Sequence, residues 1–149
     1  MSNYAFRLQK VLKAKKIKQD VEQRKLAEEK QHLQEQEQEL QKLKSRELRL
    51  LEEVKKQRLQ TSRGHEIRNY SSYQRQVQKY VNQQHEEVEK AHHRVTRQRR
   101  DLIDAAQETQ ILDKLKEKDY NKFLKETGRR EQKRLDELSQ FQPYRKDQE

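Results

Sequence analysis

The sequence predicts an all-α fold, a long antiparallel two-helix coiled-coil hairpin, on three observations. First, 42% of the 149 residues are charged and only 29% are hydrophobic. That is too little apolar material for a three-dimensional core in a chain of this length. Second, the apolar residues recur with a period near 3.5, which separates a coiled coil from a disordered polar chain. Third, with two glycines and one proline in the chain, the one clear place to turn is around Gly64.

The first helix is expected over about residues 4–60, some 85 Å at ~1.5 Å per residue. No Gly or Pro interrupts Met1 to Ser62. Its stripe is sparse: Leu26, Leu33 and Leu40 are seven apart, with Leu12 and Val54 two heptads further out. Leu8, Val11, Leu43, Leu50 and Leu51 fill the alternate line imperfectly. The turn is expected over 61–66, where Gly64 can end a helix in a left-handed conformation and Asn69 or Ser71 can cap the next.

The second helix is expected over about 67–140, on a cleaner seam. Its three- and four-residue steps run Val77, Val81, Gln84, Val88, Ala91, Val95, Gln98, Leu102, Ala105, Thr109 and Leu112, and eight of these eleven are apolar or Ala. Beyond Leu112 the register is expected to slip onto Leu115, Tyr120, Phe123 and Leu124. Gly128 is a place to fray or kink, and Pro143 an end. The whole, 1–149 with a tail at 141–149, reads as a single coiled-coil hairpin domain.

Charge supports the antiparallel arrangement. Residues 1–25 carry eight positive and two negative charges, residues 26–66 nine of each, residues 67–100 eight and three, and residues 101–149 eleven and twelve. Folding about Gly64 sets the basic start opposite Asp101, Asp104, Glu108 and Asp113. It sets Glu35, Glu37 and Glu39 opposite the segment leading into Arg94, Arg97, Arg99 and Arg100. Flanking charges of a coiled coil set orientation in this way, although such charges also pair along one helix.

Several functions are excluded. Without cysteine there is no disulfide, thiolate metal site or thiol nucleophile. The glycines, at 64 and 128, are too far apart for a phosphate-binding loop. The longest apolar run, Tyr4-Ala5-Phe6, is far short of the roughly 18–20 residues of a spanning helix, and no apolar block follows the basic start as in a secretory signal. A cytoplasmic protein is expected, touching a membrane only from outside. A two-helix hairpin offers no cleft in which carboxylates can be tuned for catalysis. No enzyme activity, catalytic residue or cofactor is expected.

Three features remain. The basic block Arg94-Val95-Thr96-Arg97-Gln98-Arg99-Arg100 and the lysines at 10, 13, 15, 16 and 18 are a solvated face answering an acidic helix, or a surface for an acidic partner or nucleic acid. His85, Glu89 and His92 share a helix face, but an exposed face gives a metal no enclosure or supporting shell. The aromatics say more. Tyr70 and Tyr73 fit the seam just after the turn, while Tyr80 lies one place off it. Leu48 and Leu50 are also off the best line of the first helix, near the same end. Tyr73, Tyr80, Leu48 and Leu50 are therefore loose packing or a partner-binding patch. Tyr4, Phe6, Leu8, Val11 and Leu12 form a second apolar concentration in a basic setting.

The opening Phe6-Arg7-Leu8-Gln9-Lys10-Val11-Leu12 resembles the start of the flagellar FliJ family, where an F-x-L-x-x-[VL]-L motif leads into a charged helix. The chain length, the mid-chain turn, the Gln-rich second helix and the charged tail with Asp136-Glu137-Leu138 match as well. The resemblance implies a component of the flagellar type III export apparatus, shaped like the central stalk subunit of rotary ATPases. It implies binding to the hexameric ring of the flagellar export ATPase, with promotion of its assembly and hydrolysis. Further implied partners are the cytoplasmic domain of the export gate membrane protein and the export chaperones. Membrane association would then be peripheral and through partners. By that resemblance Phe6, Leu8, Val11 and Leu12 are candidates for the ring contact. The gate is assigned to the part nearer the turn, where Tyr80 and its neighbours rest on the off-seam argument alone. A nucleic-acid-binding or generic structural coiled coil is the alternative.

Overall fold

Both expected helices form. A computed structural model describes residues 3–60 and 64–146, with side chains described over 3–59 and 68–141. Helix α1 spans Gln9–Gln60 and helix α2 spans Gly64–Lys146. They pack against each other as a helical hairpin. Among the described residues no helix is long and apolar enough to cross a membrane.

The helix ends differ from the sequence expectation. Residues 3–6 are not helical, and α1 begins at Gln9, where the Gln9 amide donates to the Phe6 carbonyl at 3.1 Å. Gly64 opens α2 instead of closing α1, so Asn69 and Ser71 lie inside a helix and cap nothing. Thr61, Ser62 and Arg63 lie outside the described residues. Helix α2 passes through Gly128 and continues past Pro143 to Lys146. The proline removes one backbone donor and so leaves the carbonyl of Ser139, four residues earlier, without its helical partner.

The fold gathers into two compact units. The terminal unit comprises Met1–Gln19 and Asp104–Glu149, and the middle unit Asp20–Ile103. In each, a segment from the first half of the chain runs antiparallel to one of α2. In the terminal unit Tyr4 meets Asp119 and Lys15 meets Glu108. In the middle unit Glu22 meets Gln98, Gln36 meets Gln84, and Gln57 meets Tyr70.

The seam follows a heptad pattern on both helices. On α2, Val77, Val81, Val88, Ala91, Val95 and Ala105 are buried, and Leu102 and Leu112 half-buried. Thr109 is also buried, its hydroxyl donating to the Ala105 carbonyl at 3.0 Å. On α1, Leu12, Leu26 and Leu40 are buried, and Leu33 and Val54 half-buried. Leu40, Val81 and Val88 form the core cluster of the middle unit, with Leu33 and Leu43 against it. Each such side chain contributes about 1.5–3 kcal/mol when fully buried.

Two expectations about register are corrected. Leu50 is not off the line: it is buried. It belongs to a second line of α1 that runs Lys15, Glu22, Glu29, Gln36, Leu43, Leu50 and Gln57, each at least partly buried. Four of the first five positions are of charged or amide type, so apolar periodicity could not reveal the line. The α2 register beyond Leu112 shifts only in part: Tyr120 and Phe123 pack on the Tyr4 ring as expected, whereas Lys116 continues the three–four steps and Leu115 and Leu124 are about half exposed. What changes there is the partner, because the chain opposite is the non-helical segment that carries Tyr4.

Candidate partner-binding surfaces

In the terminal unit the basic start of α1 faces acidic positions of α2, as the charge arithmetic implies. Lys15 Nζ lies 2.9 Å from Glu108 Oε2, and Lys16 Nζ 3.7 Å from Asp113 Oδ1. The hydrogen bond and charge of Lys15, then the charge of Lys18, hold the Glu108 carboxyl below its ordinary value. The pairing fixes which face of α1 is free.

The four candidates near the N-terminus divide. Leu12 is the most completely buried large side chain, at 1% exposure. It is a core residue and offers a partner nothing. Phe6 and Leu8 are half-buried in the segment that precedes α1. Val11 is exposed at 44% and remains available.

Beyond Phe123 every α2 residue through Phe141 is exposed. Leu124, Leu135 and Leu138 are about half exposed, and Phe141 more so. Steps of eleven and three put the three leucines on one helical face. Sequence reasoning grouped Leu124 with the seam and passed over Leu135. The signal was that 11-residue spacing in a stretch with no apolar counterpart left on α1.

In the middle unit Tyr80 is exposed, as its off-seam position implies. Tyr73 is also exposed and does not fit the seam: Tyr70 and Gln74 hold that line, and Tyr70 accepts a hydrogen bond from Gln57. Tyr73 and Tyr80 are two turns apart and share a face. Tyr80 borders a groove of about 540 Å³ lined by Glu39, Leu43, Gln83, Gln84, Glu86 and Glu87. Leu48 is exposed but is not among the groove's lining, and Leu50 is spent in the core.

The acidic run lies where the charge arithmetic sets it: Glu37 Oε1 is 3.3 Å from His92 Nε2, in the segment leading into Arg94. Arg94, Arg97, Arg99 and Arg100 are all exposed, and among the described residues none is in an ion pair within 4.0 Å. The reason is geometric. Positions 91, 95 and 98 face α1, which turns most of the intervening arginines toward solvent.

Comparison with known proteins adds two findings. The family described as flagellar FliJ protein matches residues 4–148. The solved structure of a YscO homolog from Chlamydia trachomatis is similar at a TM-score of 0.61, covering 99% of this chain and 99% of that one, with 24% sequence identity. At that identity the likeness speaks for the fold. No curated protein matches the sequence.

Proposed function

Since this chain belongs to the flagellar FliJ family and is a component of the type III export apparatus, we propose that it acts as the stalk-like coiled coil of that machine. It binds the hexameric export ATPase, favours the assembled ring and raises its hydrolysis. It reaches the cytoplasmic domain of the export gate and the export chaperones through other surfaces. It supplies no catalytic group, and the hydrolytic chemistry is the partner's. A ligand of this kind acts by binding the assembled state better than the separate subunits. Its place is at the cytoplasmic side of the membrane, held by these partners.

The observation that carries the reading is where exposed apolar surface concentrates. In the terminal unit Val11 stands free, and α2 beyond Phe123 presents Leu124, Leu135 and Leu138 with no α1 residue over them. That surface, together with half-buried Phe6 and Leu8, is proposed for the ring. Tyr73, Tyr80 and Leu48 in the middle unit are proposed for the gate.

The test is hydrolysis by the cognate export ATPase titrated with the full-length protein. Stimulation is expected to saturate near one chain per hexamer. Leu135→Asp with Leu138→Asp should weaken it without loss of helix, and Tyr80→Ala should leave it unchanged. A flat titration under ring-forming conditions would overturn the reading.

A further inference from the structure

The segment before α1 has a regularity of its own. Tyr4, Phe6 and Leu8 are half-buried, while Asn3, Ala5 and Arg7 are exposed. Over residues 3–6 such alternation suits an extended chain lying along a surface, and Arg7 and Leu8 then turn into α1. Tyr4 is its outermost anchor. The Tyr4 hydroxyl donates to Asp119 Oδ2 at 3.0 Å. Its oxygen is 3.4 Å from the Lys116 carbonyl, a length at which the shorter carboxylate bond takes the proton. The Tyr4 ring lies 5.1 Å from that of Tyr120 at 71° and 5.3 Å from that of Phe123 at 51°. These are the edge-on and tilted arrangements that aromatic pairs prefer.

The other end of the segment is tied as well. The Gln9 amide donates to the Phe6 carbonyl at 3.1 Å, and the Leu12 amide to the Leu8 carbonyl at 2.9 Å. Leu12, beneath, is buried. With the Tyr4 side chain held on α2 and the Phe6 and Leu8 carbonyls tied to α1, the segment has little freedom. Without Tyr4 only the tie to α1 would hold Phe6 and Leu8.

The geometry points to an N-terminal strap latched onto α2 by Tyr4, which acts as a positioning residue for Phe6 and Leu8. The strap is ordered before any partner arrives, so a partner that touches it is spared the cost of ordering it. The consequence for ring binding rests on the function proposed above. The latch itself does not.

Hydrogen exchange on the full-length protein tests the latch directly through the Gln9 amide, whose acceptor is the Phe6 carbonyl of the strap. Tyr4→Ala should speed exchange of the Gln9 amide while leaving amides of the middle unit unchanged. Tyr4→Phe keeps the aromatic contacts, loses the donor and should fall between. Asp119→Asn keeps an acceptor and should stay near wild type, whereas Asp119→Leu should match Tyr4→Phe. Exchange of the Gln9 amide unchanged in Tyr4→Ala would overturn the latch.

The second arm is the ATPase titration. Tyr4→Ala should raise the half-saturating concentration by roughly tenfold, as expected for loss of preorganisation, with the plateau unchanged. An unshifted midpoint, with exchange showing the strap released, would overturn the positioning role. No stimulation by the wild-type protein would overturn the proposed function, and the exchange result would still decide the latch.

Discussion

Gly128 shows how much of this chain is set by exposure alone. It is helical without a positive φ, and a Cβ added there would meet nothing within 4 Å. Glycine in a helix interior costs about 0.5–1 kcal/mol relative to alanine. Gly128→Ala should therefore stabilise its stretch of α2 by about that amount, seen as slower amide exchange over residues 124–132; unchanged or faster exchange would refute it. Glu108 behaves differently, because its neighbours are charged. Lys15 and then Lys18 lower its pKa from 4.5. A depressed folded pKa contributes stability that is present above the unfolded value and lost as pH falls through the folded one. Lys15→Met should accordingly lower the melting temperature at neutral pH. The gap to wild type should narrow as pH falls below 4.5 and close below the lowered value. The gap will be small, since the two side chains are 35% and 45% exposed and such pairs are screened. A gap that persists in acid would mean that Lys15 acts through packing of its stem.

At the scale of the helix, α2 carries the pairing. Val88 is in the core cluster with Leu40 and Val81, and a carboxylate there has no partner. Val88→Asp should cost about 3 kcal/mol or more, seen as a fall in melting temperature of about 6–12 °C. Gln83→Asp, on an exposed position, should cost little. Equal losses would mean that the register is wrong. This register was legible in the sequence of α2 because valine and alanine mark it from Val77 to Ala105. It was only half legible in α1. Leu26, Leu33 and Leu40 gave one line, but Lys15, Glu22, Glu29 and Gln36 hid the other, and Leu50 was misplaced as a result. Lys15, Glu22 and Gln36 are seam residues because α2 offers them Glu108, Gln98 and Gln84 in turn. That is a tertiary fact, which the periodicity of one helix does not contain. The candidate surfaces were legible to a similar degree. The exposure of Tyr80 and Leu48 and the burial of Leu12 on the α1 stripe follow from spacing, whereas the half-burial of Tyr4 and Phe6 before α1 depends on what lies opposite.

For the molecule as a whole, the formal charge of +10 decides less than its size implies. Lys15 and Lys16 at the start of α1 are answered by Glu108 and Asp113, whereas the exposed arginines from 94 to 100 are an unpaired basic cluster among the described residues. A short DNA duplex should bind at low salt and release by about 150 mM, where exposed charges are screened beyond ~8 Å. Tight binding that survives such salt would restore nucleic acid as a partner. The seam of the middle unit has one more consequence, which is mechanical. Gln84 donates to Gln36 Oε1 at 2.8 Å and to the Gln36 carbonyl at 3.1 Å, and Gln98 donates to the Glu22 carboxylate and, at 3.2 Å, to the Glu22 carbonyl. Both pairs recur after two heptads on each helix. The valines between them are nearly interchangeable from one heptad to the next, and would allow the helices to slide. The amides would not. A shift of one heptad in either direction breaks both pairs at once, and only one of the two glutamines then meets Glu29 as a new acceptor; a group left unpaired in the seam costs about 1–3 kcal/mol. They act as a two-pin detent against shear, so a push along one helix is delivered to the other without backlash.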